Sequence, residues 1–212
     1  MSRHQRQIGI IDPTKIKIPI TIIGAGGIGS WTALLLAKMG CPKISVYDYD
    51  QVEDHNVASQ FYKESQLGEM KTDALKQNIL EQTGIEIFNF NSKVEDAKLE
   101  KEGILIIAVD SMEVRDWIAK KYQKSKLYII DGRMGGLQLE IYKMPAKEYP
   151  KTIVPSEHVE HEKCTERSIS FNCAGIGAFI ANEVRMYVNK KEQVGSFTYL
   201  FDSNSLLRNY ER

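Results

Sequence analysis

Three groups of residues have the types and spacing to do chemistry. The first is Gly24-Ala25-Gly26-Gly27-Ile28-Gly29, between an apolar strand-like run and a helix-like one, with Asp48 19 positions after Gly29. Glycines let a backbone turn sharply and approach phosphates, and a helix beginning there offers unpaired N–H groups and a positive dipole end. An acid at the tip of the next strand accepts hydrogen bonds from ribose hydroxyls. Together they specify a nucleotide site, without saying which nucleotide. The second is Asp110, at the end of the apolar run Ile104-Leu105-Ile106-Ile107-Ala108-Val109. Its hard carboxylate oxygens suit Mg²⁺ when phosphates complete the shell. The same residue also reads as the N-cap of the helix that follows it.

The third group is His158, His161 and Cys164, spaced three apart. Nitrogen and sulfur at such spacing can bind zinc. Cys164 has a second reading: a thiolate beside Arg167 and ahead of a helix has a lowered pKa and is nucleophilic. Cys41 and Cys173 read as packing residues.

The elements that must position these groups follow from periodicity. Strands are expected over 18–23, 43–47, 86–91, 104–109, 127–131, 137–142 and 197–201. Helices are expected over 27–38, 70–82, 112–125 and 173–190. The continuous apolar run ending at Asp110 is typical of a parallel strand covered on both faces. Residues 50–69 form a connection too long to be a plain loop, and such loops are usually functional. Prolines and charges over 144–172 suggest a lid or crossover loop. The fold class is α/β: a doubly wound, mostly parallel Rossmann-like sheet with helices on both faces and a C-terminal mixed-strand extension. Residues 1–212 are expected to form one domain. Open sheets of this kind bind ligands at the carboxyl ends of their strands, so the glycine loop, Asp48 and Asp110 should face one crevice.

Composition narrows the function. Lys+Arg and Asp+Glu both number 28, so a nonspecific nucleic-acid binder is disfavoured and no nucleic-acid partner is expected. No stretch reads as a signal peptide or membrane span. Three cysteines without a CxxC pair point to a reducing, cytoplasmic compartment.

Several ordered motifs then go beyond a generic nucleotide site. They are Arg3-His4-Gln5-Arg6-Gln7; the glycine loop; Asp48-Tyr49-Asp50-Gln51-Val52 running on through Asn56 to Gln60; Gly68-Glu69-Met70-Lys71; and Asp110 with Arg115. In this the chain resembles the superfamily of ubiquitin-activating enzymes and their bacterial relatives, the ThiF/MoeB/HesA adenylyltransferases. The likeness runs from about residue 3 to about 142 and resumes weakly at Cys164. It implies an enzyme that uses ATP and Mg²⁺ to adenylate the C-terminal carboxylate of a ubiquitin-like or sulfur-carrier protein ending in Gly-Gly, releasing pyrophosphate. It assigns the ribose to Asp48, the phosphates to Gly24, Gly26, Gly27 and Gly29, and further nucleotide contacts to Asp50, Asn56, Gln60 and Arg115. Lys71 would neutralise phosphate, Asp110 would position Mg²⁺, and Arg6 would act as an arginine finger across a homodimer interface. Cys164 resembles the thioester cysteine of some members. No general base is required, because a carboxylate is already the nucleophile.

The chain departs from the pattern at Ser59, where bacterial relatives carry an arginine. The run Ser59-Gln60-Phe61-Tyr62 is closer to the non-adenylating half of ubiquitin-activating enzymes, yet that half generally lacks the lysine and acid present here as Lys71 and Asp110. The two CxxC pairs that bind structural zinc in many relatives do not occur. Other readings are adenylation of a small molecule, peptide or RNA carboxylate, an ATP-binding pseudoenzyme, and a nicotinamide-dependent oxidoreductase, which leaves Arg6, Lys71 and Asp110 without a joint purpose.

Overall fold

A computed structural model describes residues 3–153 and 168–210. Its centre is an eight-stranded sheet of order β3-β2-β1-β4-β5-β6-β7-β8. The strands are β1 (Ile20–Ile23), β2 (Ile44–Tyr47), β3 (Phe88–Phe90), β4 (Glu102–Ile107), β5 (Lys126–Gly135), β6 (Gln138–Pro145), β7 (Gly195–Leu200) and β8 (Ser205–Tyr210). β1 to β5 are mutually parallel, and β6, β7 and β8 continue antiparallel. The chain runs outward from β1 to β3, then returns to place β4 on the other side of β1. That reversal opens a crevice at the carboxyl ends of β1 and β4.

Alternate residues of the central strands feed two cores. Ile20, Ile22, Ile104, Ile106, Tyr128 and Ile130 face helices α1 (Gly27–Met39), α3 (Lys71–Thr83) and α5 (Ser170–Val188). Ile23, Leu105, Ile107, Leu127 and Ile129 face α4 (Met112–Tyr122) and the turn Tyr149–Thr152. Burial on both faces is why these strands read as unbroken apolar runs. The doubly wound arrangement and the antiparallel extension are those expected.

Differences cluster where the tertiary partner decides. The strand expected over 127–131 runs on to Gly135, because β6 pairs with it beyond the end of β4. The segment read as a loop over 144–172 begins inside β6 and ends inside α5, with a 3-10 turn at Tyr149–Thr152. The short helix α2 (Asp54–Val57) and strand β8 have no counterpart among the elements that periodicity predicts. Leu206 and Leu207 of β8 are both exposed, so this edge strand carries no alternating apolar signal. Among the described residues, no helix is long and apolar enough to cross a membrane.

Candidate nucleotide site

The first turn of α1 determines the shape of the glycine loop. Gly24 has φ +95°, and a Cβ there would lie 2.6 Å from the carbonyl oxygen of Ala108. A Cβ on Gly29 would lie 1.8 Å from the carbonyl oxygen of Gly24. These two glycines let the loop fold onto β4 and onto itself. Gly26 differs: its Cβ position meets only Gln60 Nε2, at 4.0 Å, so the space above it is open.

That space belongs to a cleft of about 660 Å³ lined by Gly24, Gly26 and Gly27, by Asp48, Asp50, Asn56 and Gln60, and by Lys71, Asp110 and Arg115. The loop, both strand-end acids and the lysine therefore share one crevice. Gly29 is not part of the wall; it is buried within α1.

Asp48 clamps the loop. Its Oδ2 accepts from the backbone N–H of Ala25 at 2.6 Å, and its Oδ1 accepts from that of Asp50 at 2.8 Å. Each oxygen keeps a further lone pair for a ligand. Burial pushes the Asp48 carboxyl above the usual aspartate value, against the pull of those two N–H groups and of Lys71.

Lys71 is the first residue of α3 and only 7% exposed, with Nζ 3.0 Å from Asp50 Oδ2. A buried cation at the positive end of a helix dipole opposes helix stability. Asp50 meets that charge from within the fold, and the pair lies in the cleft wall. Asn56 uses Oδ1 to accept from the N–H of Glu53 at 2.9 Å, closing a capping box on α2. Gln60 Oε1 is buried and has no hydrogen-bond partner among the described residues. An orphaned polar atom in the wall of an open cleft is a position that a bound ligand or water can satisfy.

Asp110 is not the cap of α4. Ser111 takes that place, its Oγ accepting from the N–H of Val114 at 3.3 Å. The Asp110 carboxylate is exposed at the cleft and has no hydrogen-bond or ion-pair partner among the described residues. Arg115, expected at the nucleotide, acts as an internal brace. Nε donates to Asp131 Oδ1 at 3.1 Å, Nη1 to the Asp110 carbonyl at 3.3 Å, and Nη2 to the Gly132 carbonyl at 3.2 Å.

Sequence reasoning missed Arg133. β5 outruns β4 after the pair Ile107–Asp131, which carries Arg133 past the strand ends and into the cleft wall. Its Nε donates to Asp131 Oδ2 at 2.8 Å, and its guanidinium lies 4.1 Å from the Tyr142 ring centre. An acid and a base two apart at the end of an apolar strand were the available signal.

Ser59 is buried, with its Oγ 3.3 Å from that of Ser168 and its carbonyl accepting from the Trp31 indole at 2.9 Å. Arg6 is exposed in the turn Gln5–Gln7 and is not a cleft residue. The neighbouring Gln7 donates to the carbonyl of Met39, at the far end of α1 from the glycine loop. At 1.5 Å per residue that helix puts about 20 Å between the two ends. Cys41 and Cys173 are fully buried, and burial pushes their thiols up to about 12 and about 11. Both are inert packing residues at neutral pH. Cys164, His158 and His161 lie outside the described residues.

Known proteins share parts of this sequence and this fold. The chain is 30% identical over 112 residues to ubiquitin-like modifier-activating enzyme 5 of Caenorhabditis briggsae, a match covering 45% of this chain and 26% of that protein. It is 30% identical over 115 residues to the NEDD8-activating enzyme E1 catalytic subunit of Arabidopsis thaliana, covering 52% and 25%. The matches thus span about a quarter of these curated relatives. The fold is similar to that of E. coli MccB crystallised with ATP, with a TM-score of 0.80 at 17% identity, over 99% of this chain and 70% of that one. The model of the ThiF family matches residues 8–211, and the chain belongs to the ThiF family.

Proposed function

We propose that this protein is an ATP-dependent adenylyltransferase that activates the C-terminal carboxylate of a ubiquitin-like protein, sulfur carrier or peptide and releases pyrophosphate. One observation carries the reading. The glycine loop, Asp48, Lys71 and an Asp110 with no structural task face a single cleft. In it Asp48 holds the ribose. Lys71 holds phosphate, and the open position over Gly26 leaves the triphosphate room beside the backbone. Asp110 is the carboxylate that would hold Mg²⁺; one such ligand suffices when phosphates complete the shell. When bound, the metal neutralises charge on the phosphates and on departing pyrophosphate.

The reaction joins two anions. An oxygen of the acceptor carboxylate attacks the α-phosphorus, the bond to the β-phosphate oxygen breaks, and no proton moves. The protein's task is therefore positioning and charge, which preorganised cations supply. Arg6 cannot serve its own cleft from the far end of α1, so its role requires a second copy, and the active form is a homodimer. E. coli MccB, a neighbour of the same fold, was crystallised with AMPCPP and MccA together.

Incubation with ATP, Mg²⁺, labelled pyrophosphate and a small ubiquitin-fold carrier ending in Gly-Gly tests the reading. Label should enter ATP, and Asp110→Ala should stop it. Exchange that survives Asp110→Ala contradicts the proposed mechanism. A second reading, a nucleotide-binding pseudoenzyme, is favoured by the buried Ser59, which leaves no cation where relatives carry one. Saturable ATP binding without exchange would support it.

A further inference from the structure

Behind the cleft two arginines share one buried carboxylate. Asp131 is fully buried. Arg115 reaches its Oδ1 at 3.1 Å, Arg133 its Oδ2 at 2.8 Å, and the Tyr149 hydroxyl donates to Oδ2 at 2.9 Å. Burial and the neighbouring Asp131 keep the Tyr149 phenol neutral. Tyr142, stacked on Arg133, donates to Glu140 and is likewise held neutral by burial. Arg115 and Tyr149 alone would satisfy Asp131. Among the described residues Asp131 is the one carboxylate paired with Arg133; Glu140, opposite Arg133 on β6, accepts from Tyr142 and Gln138 instead.

Of the two arginines, Arg133 is the one less committed to the interior. The remaining Arg133 nitrogens make only long contacts, 3.4 Å to the Thr152 carbonyl and 3.3 Å to Thr152 Oγ1, and its side chain stays 16% exposed in the cleft wall. A partly buried cation is costly unless an anion meets it. The anion at Lys71 is not the one. Asp48 directly follows β2 and Arg133 lies on β5, and these strands run three spacings, or about 14 Å, apart. Lys71 pairs with Asp50 on the β2 flank, so nucleotide phosphate held there leaves Arg133 facing a different ligand.

We infer that Arg133 receives the carboxylate of the acceptor, giving the cleft two anion positions, one at Lys71 for nucleotide phosphate and one at Arg133 for the group to be adenylated. This rests on the adenylation reading above. Held by Asp131 and Tyr142, the guanidinium exchanges its long Thr152 contacts for the two oxygens of a carboxylate and fixes them in direction. It also offsets the repulsion between the incoming carboxylate and the triphosphate. Arg133 is thus a substrate-positioning residue, and its place on the β5 extension makes that extension a determinant of acceptor specificity.

The test uses the full chain with Mg²⁺ and a non-hydrolysable ATP analogue, and glycylglycine as probe, read by ligand-observed NMR. Glycylglycinamide lacks the carboxylate, and propionate lacks the peptide. Wild-type protein should bind glycylglycine in preference to its amide. Arg133→Gln should bind it at least about tenfold more weakly and lose that preference, with Arg133→Lys in between. Affinity for the ATP analogue should stay within about twofold in both variants, which also reports an intact fold. Arg133-dependent binding of propionate as well would mark the site as one for any carboxylate; dependence for glycylglycine alone would mark a peptide terminus. No preference for the free acid in the wild type overturns the inference. So does unchanged binding by Arg133→Gln, or a parallel loss of nucleotide, which would assign Arg133 to phosphate or to folding. Arg133-dependent binding without pyrophosphate exchange keeps the carboxylate site and removes adenylation. Exchange with Arg133-independent binding does the reverse.

Discussion

Lys71 and Asp50 are joined twice. The backbone N–H of Lys71 donates to the Asp50 carbonyl at 2.9 Å, and its Nζ donates to Asp50 Oδ2 at 3.0 Å. The first bond closes the 50–70 excursion onto the start of α3, beside the bridge between Gln51 and Met70. The second parks a buried ammonium against a carboxylate that is itself half exposed. The backbone bond needs no particular side chain; the ammonium is free to exchange Asp50 for a ligand.

Lys71→Met separates those roles. The backbone bond and the aliphatic stem remain, Asp50 is left solvated, and an unfavourable cation leaves the helix N-terminus. Stability should change by less than about 1 kcal/mol. Affinity for an ATP analogue should fall about tenfold or more, the worth of a charge-assisted hydrogen bond. Thermal unfolding alongside calorimetric titration measures both, and a variant that unfolds early but binds normally refutes the assignment.

Gly29 and Gly26 should fail in different ways. Gly29→Ala drives a methyl to 1.8 Å from the Gly24 carbonyl, so the loop or α1 must move. The expected cost is at least about 3 kcal/mol, read from urea unfolding. Gly26 has φ −77° and open space at its Cβ position. Gly26→Ala should fold with stability within about 1 kcal/mol of wild type, yet weaken nucleotide binding by filling the cradle. Equal stability losses in the two variants would contradict this division.

The contrast between Gly24 and Arg133 explains what the sequence could disclose. The glycine loop, Asp48, Lys71 and Asp110 each sit within a few residues of a strand or helix end, and in an open parallel sheet those ends converge by topology alone. Local spacing was therefore enough to place them in one crevice. Arg133 enters the cleft only because β6 pairs with β5 beyond the last residue of β4, a register fixed by a partner strand. The brace made by Arg115 depends on Asp131, 16 residues away, and no periodicity reports it. Strand β8 is an exposed edge defined by its pairing with β7, so its own side chains carried no pattern to read.

Ser111 and Asp110 are adjacent and should separate cleanly. Ser111→Ala removes the α4 cap and should cost about 1 kcal/mol. Asp110→Asn removes a carboxylate without a structural partner and should change stability by less than about 0.5 kcal/mol. The ATP-analogue affinity of the wild type should rise on adding Mg²⁺, and that rise should vanish in Asp110→Asn while persisting in Ser111→Ala. Calorimetry with and without EDTA reads the difference. A Mg²⁺ effect that survives Asp110→Asn would move the metal elsewhere.

Asp48 predicts opposite pH trends for the empty and the occupied cleft. Its folded-state carboxyl titrates above the ordinary aspartate value of 3.8, burial being the main cause. The folded protein therefore holds this proton more tightly than the unfolded chain. Its contribution to stability is fully present below the unfolded value and is lost as pH rises through the raised folded value. Acidification through that window thus favours the empty fold at this residue. Ribose hydroxyls, in contrast, donate to the ionised carboxylate, so nucleoside affinity should fall as pH drops through the same window, by up to about tenfold per pH unit below the folded value. Adenosine is the suitable probe, because it carries the hydroxyls and no titrating phosphate. Its affinity should begin to fall at a pH above 3.8, and Asp48→Asn should bind it weakly with a flat profile over that window. A wild-type profile as flat as that of the variant would remove Asp48 from the ribose and leave it only as the clamp on Ala25 and Asp50.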